Sequence, residues 1–186
     1  MRVMLTSAGL ETDVIKEHFI HLVNKDMREV KALFIPTAAV DADAVMVLPK
    51  CMNDLLKCGI LNENIHVYDM HWGMEIEELQ QYDVVYLCGG RTQYLLDRIN
   101  ETEFNKSLMT YIDKNGVVLG VSAGSIVFAN NLPNNLGLLN TKLCVHCTEG
   151  EKEGRVSYPL KDTIHLGNEQ AIIILDTADD LEIVGE

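Results

Sequence analysis

The chain has 186 residues, with 15 Lys and Arg against 28 Asp and Glu and a formal net charge of −13. At about 150 residues per domain this predicts one domain over 1–186, and the negative charge sets aside phosphate backbones and anionic lipid, so no nucleic acid and no membrane partner is expected. Apolar runs as short as Ala171–Leu175 fall far below the roughly 20 residues of a spanning helix, and residues 1–6 lack a signal-peptide core, so the expected location is cytoplasmic.

In chain order, runs rich in Val, Ile and Leu predict strands at 2–6, 30–35, 64–68, 83–87, 116–121 and 142–146, with a closing pair at 171–175 and 181–184. Between them Val14, Ile15, His18, Phe19 and Leu22 make one helical face. Leu95, Leu96 and Ile99 make a second, and Leu108, Tyr111 and Ile112 a third. Pro36 stops the second strand, and Asp41 and Asp43 can cap the helix that follows. This alternation is that of an α/β fold. The expected form is a doubly wound, mostly parallel sheet with helices on both faces and a small C-terminal antiparallel hairpin turning at 176–180. Residues 131–140 and 149–161 read as long loops or lids.

Five cysteines, an odd number without an export signal, predict reduced thiols rather than a disulfide framework. Cys51 and Cys58 fall in a helical pattern and read as packing residues. Cys144-Val145-His146-Cys147 has the spacing of a redox or zinc motif. It lacks a second pair and its flanks read as strand, so no metal and no cofactor is expected.

Chemistry concentrates at two turns. Gly120-Val121-Ser122-Ala123-Gly124 lies between a buried strand and a helix start, as GxSxG does where a sharp turn exposes a serine hydroxyl. Ser125 lies one turn inward. Gly89-Gly90-Arg91-Thr92 follows another buried strand, and in a parallel sheet both turns lie at the carboxyl edge, where ligands bind. Amides at Gly90 and Ala123 could together form an oxyanion hole. A nucleophilic serine needs a base, and histidine titrates near neutrality. Of six histidines, His18 and His21 fall on a helix, His66 in a strand and His71 beside Trp72. His146 ends the run that follows the elbow, which should bring it to the same sheet edge; His165 is the second choice.

With these residues the chain resembles the serine-peptidase family of aspartyl dipeptidase (peptidase E) and cyanophycinase, whose fold is related to class I glutamine amidotransferases. The resemblance runs through Leu5-Thr6-Ser7, Phe34-Ile35-Pro36-Thr37-Ala38, Gly89-Gly90-Arg91-Thr92, Gly120-Val121-Ser122-Ala123-Gly124-Ser125, Leu136-Gly137-Leu138-Leu139 and His146. It implies Ser122 as nucleophile, His146 as general base, and Gly90 and Ala123 as oxyanion hole. A serine at the elbow, where the amidotransferases have cysteine, argues against ammonia transfer from glutamine.

Three departures shape the expectations. No Asp or Glu occurs from Ala123 through Val145, where aspartyl dipeptidases carry their acid. Glu169, in Asn168-Glu169-Gln170-Ala171, is the expected triad acid by resemblance to cyanophycinase-like members. Glu149 ranks second, and Asn134, Asn135 or no group at all are the alternatives. Arg91 replaces the family's usual Asn and is expected either to bind a substrate carboxylate or to pair with a local acid. Arg155 is a weaker candidate for a substrate-binding arginine. The leading functional reading is a serine peptidase acting on a short peptide or other small amide substrate through an acyl-enzyme. An amide or ester hydrolase of another class and a non-catalytic binding protein with a degenerate triad are the alternatives, and a homodimer is conceivable.

Overall fold

Five parallel strands form the centre of the structure, a computed structural model that describes residues 1–156, 161–175 and 181–186. They are β1 (Arg2–Thr6), β2 (Ala32–Ile35), β3 (Ile65–Val67), β4 (Val84–Leu87) and β5 (Val117–Val121), in the order β3–β2–β4–β5–β1. The inner strands are apolar along their length because side chains alternate between two covered faces. Met4, Phe34, Tyr86 and Leu119 point to one face. There they pack with Ile15, Phe19 and Leu22 of α1 (Asp13–Val23) and Leu55 of α2 (Ala42–Lys57). After the single turn α3 (Ile76–Leu79), the helices α4 (Thr92–Glu101) and α5 (Phe104–Asp113) cover the other face. Their Leu95, Leu96, Ile99, Leu108 and Ile112 pack on Leu5, Leu33, Val85 and Val118.

Local signals set most boundaries. Thr12 caps α1 by accepting from the Ile15 N–H at 3.3 Å, and Asn24 closes it in the left-handed region at φ 51°. The buried stripe of α1 is Ile15, Phe19, Leu22 and Val23. Val14, expected on that face, is exposed. Asp41 does occupy the N-cap of α2, but its carboxylate makes no capping bond.

Past β5 come the one-turn helix α6 (Ala123–Ile126), β6 (Lys142–Cys144), β7 (Gly154–Arg155), β8 (Thr163–His165), β9 (Ala171–Leu175) and β10 (Leu181–Val184). The antiparallel addition runs β1–β9–β10–β7, which makes the main sheet 8-stranded, while β6 and β8 pair in parallel as a separate ribbon. The anticipated strand 142–146 therefore stops at Cys144 and stands outside the main sheet. His146 lies at φ 58°, a left-handed conformation that a strand cannot contain. β7 and β8, too short and polar to show a period, were not anticipated. The expected hairpin turn at 176–180 lies outside the described residues, as do 157–160 of the expected lid.

The chain leaves β1 for β2 and β3 and returns with β4 and β5 in the gap. The carboxyl ends of β1, β4 and β5 thus adjoin at the point where strand order reverses. Because β9 is antiparallel to β1, with Ala171 opposite Thr6, the residues just before β9 arrive at the same edge. Here the turns after β4 and β5 touch backbone to backbone. A Cβ on Gly124 would collide with the Leu87 carbonyl, and one on Gly120 would lie 2.5 Å from the Gly124 carbonyl oxygen.

Two stability outcomes follow from this packing. Gly124→Ala should lose about 1–3 kcal/mol in urea unfolding through overpacking, whereas Met46→Gln, on an exposed face of α2, should stay within about 0.5 kcal/mol. Asp54 is buried in α2 and accepts from the Leu10 N–H at 3.2 Å, and burial raises its carboxyl above the ordinary 3.8. A raised carboxyl is favourable below its unfolded value and unfavourable once ionised. Asp54→Asn should therefore stabilise the fold near neutral pH, with a gain that shrinks toward zero as urea midpoints are measured down to about pH 4.

Candidate active site

Ser122 sits between β5 and α6 at φ 50°, ψ −108°, outside the regions ordinary residues occupy. Bonds on both sides hold this geometry. The Ser122 N–H donates to the Thr6 carbonyl at 3.1 Å, and the Ser125 and Ile126 N–H groups donate back to the Ser122 carbonyl at 2.9 and 3.0 Å. Ser125 is fully buried, with its hydroxyl donating to the Thr6 carbonyl at 2.8 Å. Of the two serines in the motif, Ser122 faces outward. The helix expected after it is a single turn, so the Ala123 amide is placed by the elbow rather than by a long helix.

The glycine pair after β4 lies against this serine. A Cβ on Gly89 would stand 3.2 Å from the Ser122 Cβ, and Gly90, at φ 142°, leaves no room for one beside the Ala38 carbonyl. The Arg91 N–H closes this turn on Ala38 at 2.8 Å. The Arg91 guanidinium pairs with Asp41 at 2.7 Å, and both side chains are more than half exposed. Of the two roles expected of Arg91, the local ion pair is the one its side chain adopts. Arg155 lies on β7, three strands beyond β1.

His146 faces Ser122, its Nε2 3.0 Å from the serine Oγ. On the other side of the ring Nδ1 lies 2.8 Å from Asn168 Oδ1. The Ser7 hydroxyl accepts from the His146 backbone N–H at 2.7 Å and donates to the same Asn168 oxygen at 3.5 Å. An amide oxygen can only accept, so Nδ1 is the donor in that contact, and in the neutral imidazole this leaves the Nε2 lone pair facing Ser122.

This corrects the expected acid. Gly167–Gln170 is a tight turn closed by the Gln170 N–H on the Gly167 carbonyl at 3.2 Å and by the Gly167 N–H on the buried Gln170 side chain at 3.0 Å. Asn168 stands at its first corner and reaches the imidazole, while Glu169 at the second is exposed and is not the group on Nδ1. Glu149 lies in the exposed stretch past His146. Asn134 lies in the loop beside α4, and Asn135 is tied to Leu132 and Gly137. Sequence reasoning missed Ser7 and Asn168; both lay within quoted motifs, but nothing local distinguishes them from turn residues. His165, the alternative base, is on β8 with Glu151 3.9 Å from its ring. His71 pairs with Asp69 at 3.3 Å.

Beside Ser122 and His146 opens a cleft of about 290 Å³. Ala44, Val47 and Leu48 of α2 form an apolar wall, Gly89 and Gly90 lie opposite, and its charged members, Lys50 and Glu11, are paired with each other. Cys51 also lines the cleft, and the neighbouring buried Cys88 thiol holds its own thiol below the ordinary thiol range. Among the described residues no group of three or more His, Cys, Asp or Glu is arranged to hold a metal ion, and no helix is long and apolar enough to cross a membrane.

Comparisons with known proteins find relatives that are named peptidases. The chain is 26% identical over 115 residues to the uncharacterized peptidase Lmo0363 of Listeria monocytogenes, a match covering 62% of the chain and 56% of that protein. It is 23% identical over 99 residues to the uncharacterized peptidase PM1590 of Pasteurella multocida, covering 53% of the chain and 48% of that protein. The chain thus spans about half the length of the curated relatives it matches. A crystal structure of a Listeria monocytogenes EGD-e protein provisionally named peptidase E shares the fold, with TM-score 0.77 at 18% identity over 100% of this chain and 98% of that one. A peptidase from an acI-B1 Actinobacterium does so at TM-score 0.69 and 16% identity, over 100% and 87%. The profile of Peptidase family S51 matches residues 3–186, nearly the full chain, and the chain belongs to that family.

Proposed function

We propose that the chain is a serine-type peptidase that cleaves short peptides through an acyl-enzyme on Ser122. The observation that carries this reading is the line from the Ser122 hydroxyl through His146 to Asn168, with 3.0 and 2.8 Å at its two steps. In the reading, Nε2 takes the serine proton as Oγ attacks the scissile carbonyl, then returns it to the leaving amine. The amides of Gly90 and Ala123 receive the oxyanion. Water, deprotonated by the same imidazole, then releases the acyl group. Asn168 holds the tautomer and supplies no negative charge to the imidazolium, which makes this a positioning partner weaker than an acid.

The cleft supports a substrate with a neutral, apolar side chain. Val47 and Leu48 offer surface to it, while the Lys50 ammonium is already matched by Glu11. Arg91, held by Asp41, is not among the cleft residues. A substrate carboxylate would therefore have to displace an existing ion pair. Peptides with an aliphatic residue on the acyl side of the scissile bond should be cleaved faster than their aspartyl counterparts, as dipeptide hydrolysis followed by amine release would show.

A fluorophosphonate probe should label Ser122 alone, located by mass spectrometry, and Ser122→Ala should abolish labelling. His146→Ala should slow it about a thousandfold or more. No labelling of the intact chain would leave the non-catalytic reading in its place, and an adduct on another residue would overturn Ser122 as the nucleophile.

The orienting group gives a separate contrast. Asn168→Ala should slow acylation of Ser122 by about tenfold to a hundredfold, because the ring loses the bond that sets its tautomer. Glu169→Gln should stay within about twofold, as expected of an exposed side chain. The reverse order in labelling rates would restore a carboxylate to the site.

A further inference from the structure

His146 is flanked by two thiols that the proposed reaction does not use. The sulfurs of Cys144 and Cys147 lie 3.1 Å apart, Cys144 exposed and Cys147 half-buried. The short loop carrying them is clamped at both ends on one residue. The Leu166 N–H donates to the Cys144 carbonyl at 2.8 Å, and the Cys147 N–H donates to the Leu166 carbonyl at 3.0 Å. Between the clamps His146 takes a left-handed φ of 58°, and the two thiols on either side of it meet. The other cysteines, Cys51, Cys58 and Cys88, are buried.

We infer that Cys144 and Cys147 are a reversible dithiol site, closed to a disulfide by exchange with a small-molecule disulfide, and that closure withdraws His146 from Ser122. The withdrawal half of this inference rests on the peptidase reading of the site. In the first step the Cys144 thiolate attacks one sulfur of the small disulfide, forming a mixed disulfide and releasing one thiolate. The Cys147 sulfur then attacks the Cys144 side of that bond and expels the second. Two protein thiols are oxidised, one small disulfide is reduced to two thiols, and the two protons pass to the leaving thiolates. Exposure makes Cys144 the attacking group. Burial, then the hydrogen bond it donates to Cys144, pushes the Cys147 thiol up, which leaves the first attack to Cys144 and the second, intramolecular step to Cys147.

Closure needs the sulfurs at about 2.05 Å, roughly 1 Å nearer than they stand. His146, which lies between them in the chain, is held by its backbone N–H on Ser7 at 2.7 Å and by its ring at 2.8 and 3.0 Å from Asn168 and Ser122. A displacement of about 1 Å at a reacting group is enough to lower a rate about a hundredfold.

The test incubates the whole chain with excess glutathione disulfide and reads two things. Intact mass and peptide mapping should show the loss of two hydrogens at Cys144–Cys147, and Cys147→Ser should stall with one glutathione on Cys144. The rate of fluorophosphonate labelling should fall about tenfold or more and recover on reduction, while the Cys144→Ser/Cys147→Ser double variant labels normally and ignores the oxidant. Absence of this cross-link, or a cross-link that leaves the labelling rate unchanged, overturns the inference. If the reduced chain never labels, the peptidase reading fails by itself. The ring resonances of His146 in NMR then decide the inference, which stands if they shift on closure and falls if they do not.

Discussion

Ser122 can hold a left-handed φ only because its neighbours leave it no alternative, and one residue of the first strand does much of the holding. The Thr6 carbonyl accepts both the Ser122 N–H and the buried Ser125 hydroxyl. The Thr6 hydroxyl donates to the Gly120 carbonyl at 3.0 Å and accepts from the Gly9 N–H at 3.0 Å. Strained backbone persists where surrounding structure over-determines it, and here β1, its outgoing loop and the elbow are tied at a single point. The absence of side chains at Gly120 and Gly124 lets the turn close tightly enough to use those bonds.

The antiparallel extension changes what the parallel core can do. A parallel strand beside β1 would bring its outgoing loop to the carboxyl edge; the reversed β9 brings its incoming turn instead. That turn supplies Asn168, from a part of the chain 46 positions beyond the serine by subtraction of their numbers. The order of the three groups along the chain is therefore Ser122, His146, Asn168, with the orienting group last. Ser7, from the loop after β1, joins the same network from the opposite end of the sequence. Four separate segments meet around one imidazole, so the ring's orientation is a property of the assembled sheet edge.

Legibility differed between these levels. The bounds of β1, β9 and β10 were readable because each is a short, mostly apolar run set between polar or glycine residues. The stripes of α4 and α5 were readable because helical spacing repeats. Val14 was misassigned because periodicity alone cannot fix the rotation of a helix against its sheet, and a position one residue before Ile15 sits at the margin of the buried arc. β7 and β8 escaped because two or three residues carry no period, and their pairing depends on chain segments far away. At the site, Ser122 was marked by a local strain pattern, GxSxG. Asn168 and Glu169 are adjacent and both polar, and a turn closed by Gln170 decides which reaches the histidine. That decision is tertiary.

The Arg91–Asp41 pair, with the Arg91 N–H bonded to Ala38, ties the turn bearing Gly90 to the segment that enters α2. One wall of the cleft and the glycine turn beside Ser122 are thus tied to each other. Prying the N-terminal end of α2 outward to admit a bulkier guest would drag the Gly90 amide with it. On the proposed peptidase reading, size selection at this cleft would operate through alignment of the reacting groups rather than through exclusion alone: an oversized molecule could enter and still find the backbone donor out of place.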